Sequence, residues 1–238
     1  MKKFFSTLLA ITTCFSVNAQ SGITSNIDRL VFDDLTNNPL SGISQSYDTL
    51  TAIGDINKDG INDMIVIAYP TDKKNISKEE IPNMNDPNDP YILNCDNNQP
   101  TMAVYFGTEN NQYKKVNEYN KSICPKGLEN GDEIKIEITN KGLLRISKTI
   151  FSAPPNWSPF ASGVYLFRYQ NNDFFLIGKT YYQNWSADGW AETKITDSFN
   201  FLTGKRVTTE DGASTNSTCS KKLIALSNFV IYTNDEDF

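Results

Sequence analysis

The chain contains no histidine among its 238 residues, and this absence excludes a large part of hydrolytic and metal chemistry. A Ser-His-Asp or Cys-His nucleophile system needs an imidazole base, and many zinc sites need imidazole as a ligand. Catalysis would have to depend on carboxylates, lysine, tyrosine or serine alone. We therefore expect that the protein is not an enzyme.

Positive charge is also scarce, because 22 lysine and arginine residues stand against 28 acidic ones and leave a net charge of −6. An acidic chain without a basic cluster is a poor partner for nucleic acid or an anionic membrane surface. Beyond the N-terminal segment, no apolar run is long enough to span a bilayer. We predict no nucleic-acid partner and no transmembrane segment, and an unknown protein or glycan as the partner.

The N-terminus has the pattern of an export signal. Lys2 and Lys3 precede the mostly apolar run Phe4–Val17, and small residues lead to a cleavage site after Ala19. Removal of this segment changes the net charge from −6 to −8. We predict a periplasmic or secreted protein. A lipoprotein anchored through Cys14 is the alternative, although the two threonines before it fit a lipobox poorly.

Cysteine is sparse, with four in the whole chain, of which Cys95, Cys124 and Cys219 lie beyond the signal segment. In an oxidising compartment two of them are expected to pair. Cys95 and Cys124 flank one apparent hairpin, whose outer ends lie close, so we predict a disulfide between them. The alternative is that all three are reduced.

Strand patterns recur along the chain, and sustained helical periodicity is missing. Met64–Tyr69 is a continuous apolar run, which is typical of a strand buried on both faces. Glu133–Ile138 alternates charged residues with isoleucine and forms a hairpin with Leu143–Ile150. A second hairpin joins Gly163–Tyr169 to Phe174–Tyr182. We predict an all-β fold of antiparallel sheets.

The chain divides into three parts by composition and pattern. Residues 1–19 are the signal segment, residues 20–130 form a first β region, and residues 131–238 form a C-terminal antiparallel region packed with the first as one unit. Thr71–Pro100 interrupts the first region with a polar insertion that contains four prolines. Its apolar content is too low to bury much area, so we expect an excursion over the surface.

The most specific signal is the segment 55–63, DINKDGIND, whose oxygen-bearing side chains occupy positions 1, 3, 5 and 9. Ca²⁺ takes about six to eight oxygen ligands, which a curling loop supplies from every second residue. Gly60 permits the sharp turn that this requires. The predicted ligands of a Ca²⁺ cofactor are Asp55, Asn57, Asp59 and Asp63 through their side chains and Ile61 through its carbonyl oxygen.

Two other interpretations of this loop exist. An EF-hand needs a bidentate glutamate at position 12 and a helix on each side, whereas position 12 here is Val66 in a predicted strand. A metal-free turn rich in Asn and Asp is the other alternative, since these residues favour turns. Four oxygen-bearing residues on alternating positions, with a glycine, exceed what a turn needs.

The run Ala52–Ala68, followed by Pro70 and Ala103–Gly107, resembles one repeat of the FG-GAP/VCBS type, the calcium-binding blade of integrin-like propellers. The likeness extends over about residues 47–119 and implies a structural calcium ion in a β blade. No second D-x-N-x-D-G loop occurs. The resemblance therefore implies one partial, propeller-like blade packed against the C-terminal hairpins, since a full propeller needs several repeats.

The C-terminal half resembles the corresponding region of small exported bacterial VCBS-type proteins of unknown function. Phe167–Gln170, Phe175–Gly178 and Asn200–Lys205 carry this likeness, which implies no activity.

Three tryptophans are candidates for a binding surface, namely Trp157, Trp185 and Trp190. They lie in predicted loops, outside the strands, where aromatic residues commonly contact a partner or stack on a sugar. The alternative is that they cap the ends of the β core. We predict an exported, non-enzymatic, calcium-binding module.

Two other functions are alternatives. A carboxylate-dependent glycoside hydrolase needs two acids about 5 to 9 Å apart across a cleft. An inhibitor or immunity-type partner of another exported protein would suit the small size, the acidity and the shortage of catalytic groups. The candidate acids for hydrolysis are Asp173, Asp188, Glu192 and Asp197.

Overall fold

The computed structural model describes residues 30, 32–41, 43–44, 46–81, 83, 86, 88–128, 132–151, 159–185 and 193–231. These residues form fifteen strands and two short 3-10 turns, Lys73–Asn75 and Leu226–Asn228. All of the strand pairs among them are antiparallel. The predicted all-β class with antiparallel sheets is confirmed.

The strands form three sheets. The five-stranded sheet has the spatial order β1 (Leu35–Thr36), β7 (Tyr113–Tyr119), β6 (Thr101–Gly107), β3 (Asp63–Pro70) and β2 (Tyr47–Gly54). The three-stranded sheet contains β4 (Ile76–Ile81), β5 (Tyr91–Asp96) and β8 (Gly127–Leu128). The seven-stranded sheet runs in chain order through β9 (Asp132–Ile138), β10 (Leu143–Phe151), β11 (Pro159–Gln170), β12 (Asp173–Trp185), β13 (Thr193–Asn200), β14 (Lys205–Glu210) and β15 (Ala213–Thr218).

Strand β3 is buried on both faces, as its continuous apolar sequence predicts. Ile65 and Ile67 belong to the main core, which the five-stranded and seven-stranded sheets share. Val66 and Ala68 point to the opposite face, where Phe32 of the N-terminal segment covers them. Because successive side chains of a strand point to opposite faces, one run of small and branched residues serves two apolar layers.

The main core joins the first and last parts of the chain. It contains residues of the five-stranded sheet, the seven-stranded sheet and the segment that follows β15. Its largest members with almost no exposed surface are Tyr69, Tyr165, Phe167, Phe174, Phe201 and Phe229. Aromatic side chains of this size bury much apolar area, so the packing between the two large sheets is the main source of stability.

The polar insertion is more ordered than the sequence predicts. It forms the hairpin β4–β5, which β8 extends into the three-stranded sheet. Side-chain amides fasten its ends, since Asn98 Nδ2 donates to the Asp72 carbonyl oxygen at 3.1 Å and Gln99 Nε2 donates to the Ile123 carbonyl oxygen at 2.8 Å. Backbone pairing and amide hydrogen bonds replace the apolar burial that this segment lacks.

The predicted disulfide between Cys95 and Cys124 is not formed in the structure. Both residues are buried. Cys95 Sγ lies 3.7 Å from Asn97 Oδ1, and Cys124 Sγ accepts a contact from Lys148 Nζ at 3.5 Å. The expected hairpin geometry fails because Cys95 is part of β5, whose partners are β4 and β8 rather than a segment containing Cys124.

Glycines allow the two large sheets to meet closely at one corner. The edge strands β2 and β9 contact each other there. A Cβ atom at Gly54 would lie 2.8 Å from Ile138 Cγ2, and one at Gly142 would lie 2.6 Å from the Asp55 carbonyl oxygen. Gly142 also has a φ of +71°, which disfavours other residues. The β9–β10 turn therefore rests directly on the start of the 55–63 loop.

We expect Gly142→Ala to lower the free energy of unfolding by more than about 1 kcal/mol, because the added methyl group meets a backbone oxygen and the positive φ is strained. Gly212→Ala is the matched control, since Gly212 has a φ of +87° and nothing within 4 Å of the added Cβ. The free energies of unfolding of both variants are measured in urea. Their difference separates the effect of the steric contact with Asp55 from the effect of the positive φ. Equal losses in the two variants would show that the close approach to Asp55 is unimportant.

Candidate metal site

The 55–63 loop connects β2 to β3 as a tight hairpin, with Gly54 opposite Asp63 in the register. Two residues have positive φ values, Lys58 at 66° and Gly60 at 87°. The sequence predicts this conformation for Gly60 and gives no signal of it for Lys58. These two positions, one on each side of Asp59, allow the chain to reverse its direction.

Asp55, Asn57 and Asp59 come together around backbone N–H groups of the loop. The Asp59 N–H donates to Asp55 Oδ1 at 3.1 Å and to Asn57 Oδ1 at 3.0 Å. Gly60 N–H donates to Asp55 Oδ2 at 3.0 Å, and Ile61 N–H donates to Asp59 Oδ1 at 2.8 Å. Three of the predicted ligands are thus oriented by the same short turn.

Asp63, the fourth side-chain ligand of the prediction, is fully buried and has a different environment. Its Oδ2 accepts the N–H of Ile56 at 2.7 Å and that of Asn57 at 3.3 Å. Its Oδ1 accepts the N–H of Gly107 at 3.0 Å, at the end of β6. The sequence pattern did not reveal this last partner, although Gly107 closes the Phe-Gly element of the resembling repeat.

The electrostatics of Asp63 reflect opposing influences. Burial, the largest of them, raises the pKa of its carboxyl group above the ordinary value. Hydrogen bonds from the N–H groups of Ile56, Gly107 and Asn57 act in the other direction, and the negative charge of Asp59 adds to the increase. A cation held beside Asp63 would favour its charged form and oppose the effect of burial.

The donor set fits a hard cation in chemical type. It offers three carboxylates, one amide oxygen and the Ile61 carbonyl oxygen, and calcium prefers oxygen ligands of these kinds. A carboxylate has about four lone-pair sites, so the N–H bonds described above leave capacity for an ion. Within the described ranges, no three Cys, Asp or Glu side chains are gathered closely enough to form a metal cluster on their own. Binding of a cation would require the carboxylates of the loop to move closer together.

Open clefts lie on both sides of the loop. One, of about 580 Å³, runs from Gly60–Asn62 to the β6–β7 turn. The other, of about 600 Å³, is lined by Asp55 and Lys58 on one side and by the β9–β10 turn on the other. Both are shallow and lined largely by polar groups, so the loop is accessible to solvent and to ions.

The tryptophan surface of the prediction cannot be placed. Trp157 and Trp190 lie outside the described residues. The predicted loop position of Trp185 is wrong, because this residue ends β12 and its backbone pairs with Thr193; its side chain is outside the description. The predicted binding role of these three side chains stays a prediction.

Two of the four candidate acids of the alternative hydrolase function lie in the described residues, and both take part in other interactions. Asp173 accepts hydrogen bonds from Tyr119 Oη at 2.7 Å and from Ser227 Oγ at 2.6 Å. Partial burial favours a raised pKa for Asp197, but hydrogen bonds from Arg206 and Thr208 outweigh it and lower that pKa. Asp188 and Glu192 lie outside the described residues.

Comparison with known proteins returned no matching family model, curated protein or solved structure. The likeness to the FG-GAP/VCBS repeat therefore depends on the residues quoted above. No helix in the described residues is long and apolar enough to cross a membrane.

We expect Asp63→Asn to lower the free energy of unfolding by about 1–3 kcal/mol in calcium-free buffer. The amide places an NH₂ group where a carboxylate oxygen now accepts a backbone N–H, and one buried donor loses its partner. Asp59→Asn is the control, because that side chain is exposed and keeps an acceptor for the Ile61 N–H. Chemical unfolding in the presence of a chelator measures both. A loss no greater for Asp63→Asn than for Asp59→Asn would contradict the anchoring role.

Proposed function

We propose that the protein is an exported, non-enzymatic β module that binds Ca²⁺ in the 55–63 loop and uses the ion to hold a surface for a protein or glycan partner. The observation that carries the proposal is the convergence of Asp55, Asn57 and Asp59 in one turn, with Asp63 fixed behind them. The resemblance to a single FG-GAP/VCBS blade supports the same proposal. The export signal supports a location where calcium is available.

The proposed ion has a local structural role. Asp55, Asp59 and Asp63 put three acids into nine residues, and like charges at short distance repel. Hydrogen bonds from the loop backbone offset part of that repulsion, and a divalent cation would offset more of it. The ion would also stiffen the loop on which the β9–β10 turn rests through Gly142. Calcium would thus stabilise the corner where the two large sheets meet.

The magnitude of this effect is modest. Extracellular calcium modules have dissociation constants of about 10⁻⁴ to 10⁻³ M. At about 1 mM Ca²⁺ such affinities stabilise the folded state by roughly 0.4 to 1.4 kcal/mol. The fold has a large apolar core of its own, so we infer that it forms without the ion and that calcium tightens one corner.

Thermal unfolding of the mature chain tests the proposal. After treatment with a chelator, addition of 1 mM Ca²⁺ is expected to raise the Tm by about 1–5 °C. Asp59→Asn is expected to lose this shift, because the loop then has one fewer anionic ligand. Asp89→Asn makes the same charge change at an exposed position outside the loop, and we expect it to keep the shift.

Two results would contradict calcium binding at this loop. One is an unchanged Tm of the parent protein on addition of Ca²⁺. The other is an equal increase in the parent and in Asp59→Asn, which would place the ion elsewhere. Titration with Mg²⁺ separates a specific site from general screening of an acidic chain, since Mg²⁺ demands a tighter octahedral geometry.

A further inference from the structure

Lys148 occupies a position in β10 where the strand pattern places an apolar residue. Leu144, Ile146 and Lys148 follow one another on the inward face of the strand, and all three are buried. The exposed fraction of Lys148 is 0%. Burying an ammonium group is unfavourable unless close partners compensate for the lost water. Lys148 therefore brings an amine nitrogen into the interior of the protein.

Cys124 is the neighbour that gives this nitrogen a reaction partner. Lys148 Nζ lies 3.5 Å from Cys124 Sγ, and the exposed fraction of Cys124 is only 2%. The two atoms therefore face each other in a space from which bulk water is excluded. This separation is a non-bonded contact, so the two side chains would have to move slightly closer for one oxygen atom to bridge them.

Tyr69 provides a second, independent observation at the same place. Its side chain is 1% exposed, and its hydroxyl group has no hydrogen-bond partner. Burial raises the pKa of this hydroxyl, and the proximity of Cys124 adds to the increase. Buried hydroxyl groups normally have an acceptor, so an orphaned donor beside the cysteine indicates that an acceptor is missing there.

We propose that Cys124 and Lys148 form a covalent N–O–S bridge in the oxidising compartment to which the protein is exported, with molecular oxygen as the oxidant. The bridging oxygen would lie in the buried space beside Tyr69 and offer its hydroxyl group an acceptor. The site would then be a redox-reversible cross-link between β10 and the segment that precedes β8. This inference is independent of calcium binding.

The reaction balances with the thiol, the neutral amine and one molecule of O₂. The S–H bond, one N–H bond and the O–O bond break, while an S–O bond and an N–O bond form. The second oxygen atom leaves as water with the two hydrogens removed. Sulfur and nitrogen each lose two electrons, and oxygen takes up all four. Two equivalents of dithiothreitol supply the four electrons and four hydrogens that restore thiol and amine.

Intact-mass measurement of the folded chain distinguishes this product from other oxidised forms. Reduced protein is exposed to air-saturated buffer, then denatured in acid and weighed. The bridge adds one oxygen and removes two hydrogens, so we expect an increase of about 14 Da that dithiothreitol reverses. A disulfide between Cys95 and Cys124 would instead lower the mass by about 2 Da, and a sulfenic acid would raise it by about 16 Da. Either of these in place of the 14 Da product overturns the proposal.

Single substitutions test which residues carry the modification. Cys124→Ser and Lys148→Met are each expected to abolish the 14 Da increase, and methionine keeps the volume of the buried lysine. Cys95→Ser and Cys219→Ser are the controls that should retain it. Peptide mapping of the parent protein is expected to detect a cross-linked pair of peptides, one containing Cys124 and the other Lys148. This result does not depend on whether the variants fold. Persistence of the increase in Cys124→Ser, or its absence from the aerated parent, would contradict the bridge.

Discussion

The buried carboxylate of Asp63 is the interaction on which the arrangement around the loop depends. It accepts backbone N–H groups from Ile56 and Asn57 at one end of the hairpin and from Gly107 at the end of β6. A buried carboxylate is stable only when hydrogen bonds replace its water. This single side chain therefore attaches the loop to the end of β6, in addition to the backbone pairing that joins β3 and β6.

The corner between the two large sheets follows from this constraint. With the loop held by Asp63, the Asp55 carbonyl group lies where Gly142 of the β9–β10 turn contacts it. Gly54 and Ile138 make a similar approach next to it. The loop thus joins the inner surface, where the apolar core supplies most of the stability, to the outer surface that carries the proposed ion site. Such a division is consistent with the proposal that the fold forms without calcium and that the ion stabilises one edge.

Local sequence patterns predicted the strands, but they did not predict contacts between residues that are far apart in the chain. The apolar run Met64–Tyr69 and the alternation in Glu133–Ile138 indicate strands because side-chain period and burial are local properties. The bond from Gly107 to Asp63 joins residues 44 apart and depends on sheet pairing that no local pattern encodes. The hairpin inside the polar insertion was missed for a similar reason, since its order comes from backbone pairing with β8 and from side-chain amide hydrogen bonds to distant residues. The expected disulfide assumed that Cys95 and Cys124 end one hairpin, and the pairing of β5 with β8 overturns that assumption.

Hydrogen exchange of the Gly107 amide, followed by NMR in calcium-free buffer, tests the central claim most directly. If the Asp63 carboxylate holds this N–H in the folded protein, the amide will be protected as strongly as the amides of β3 and β6, with or without calcium. Exchange of the Gly107 amide as fast as that of Gly60 in the exposed turn, with protection only after calcium is added, would contradict the account. In that case the ion, rather than the buried carboxylate, would organise the corner.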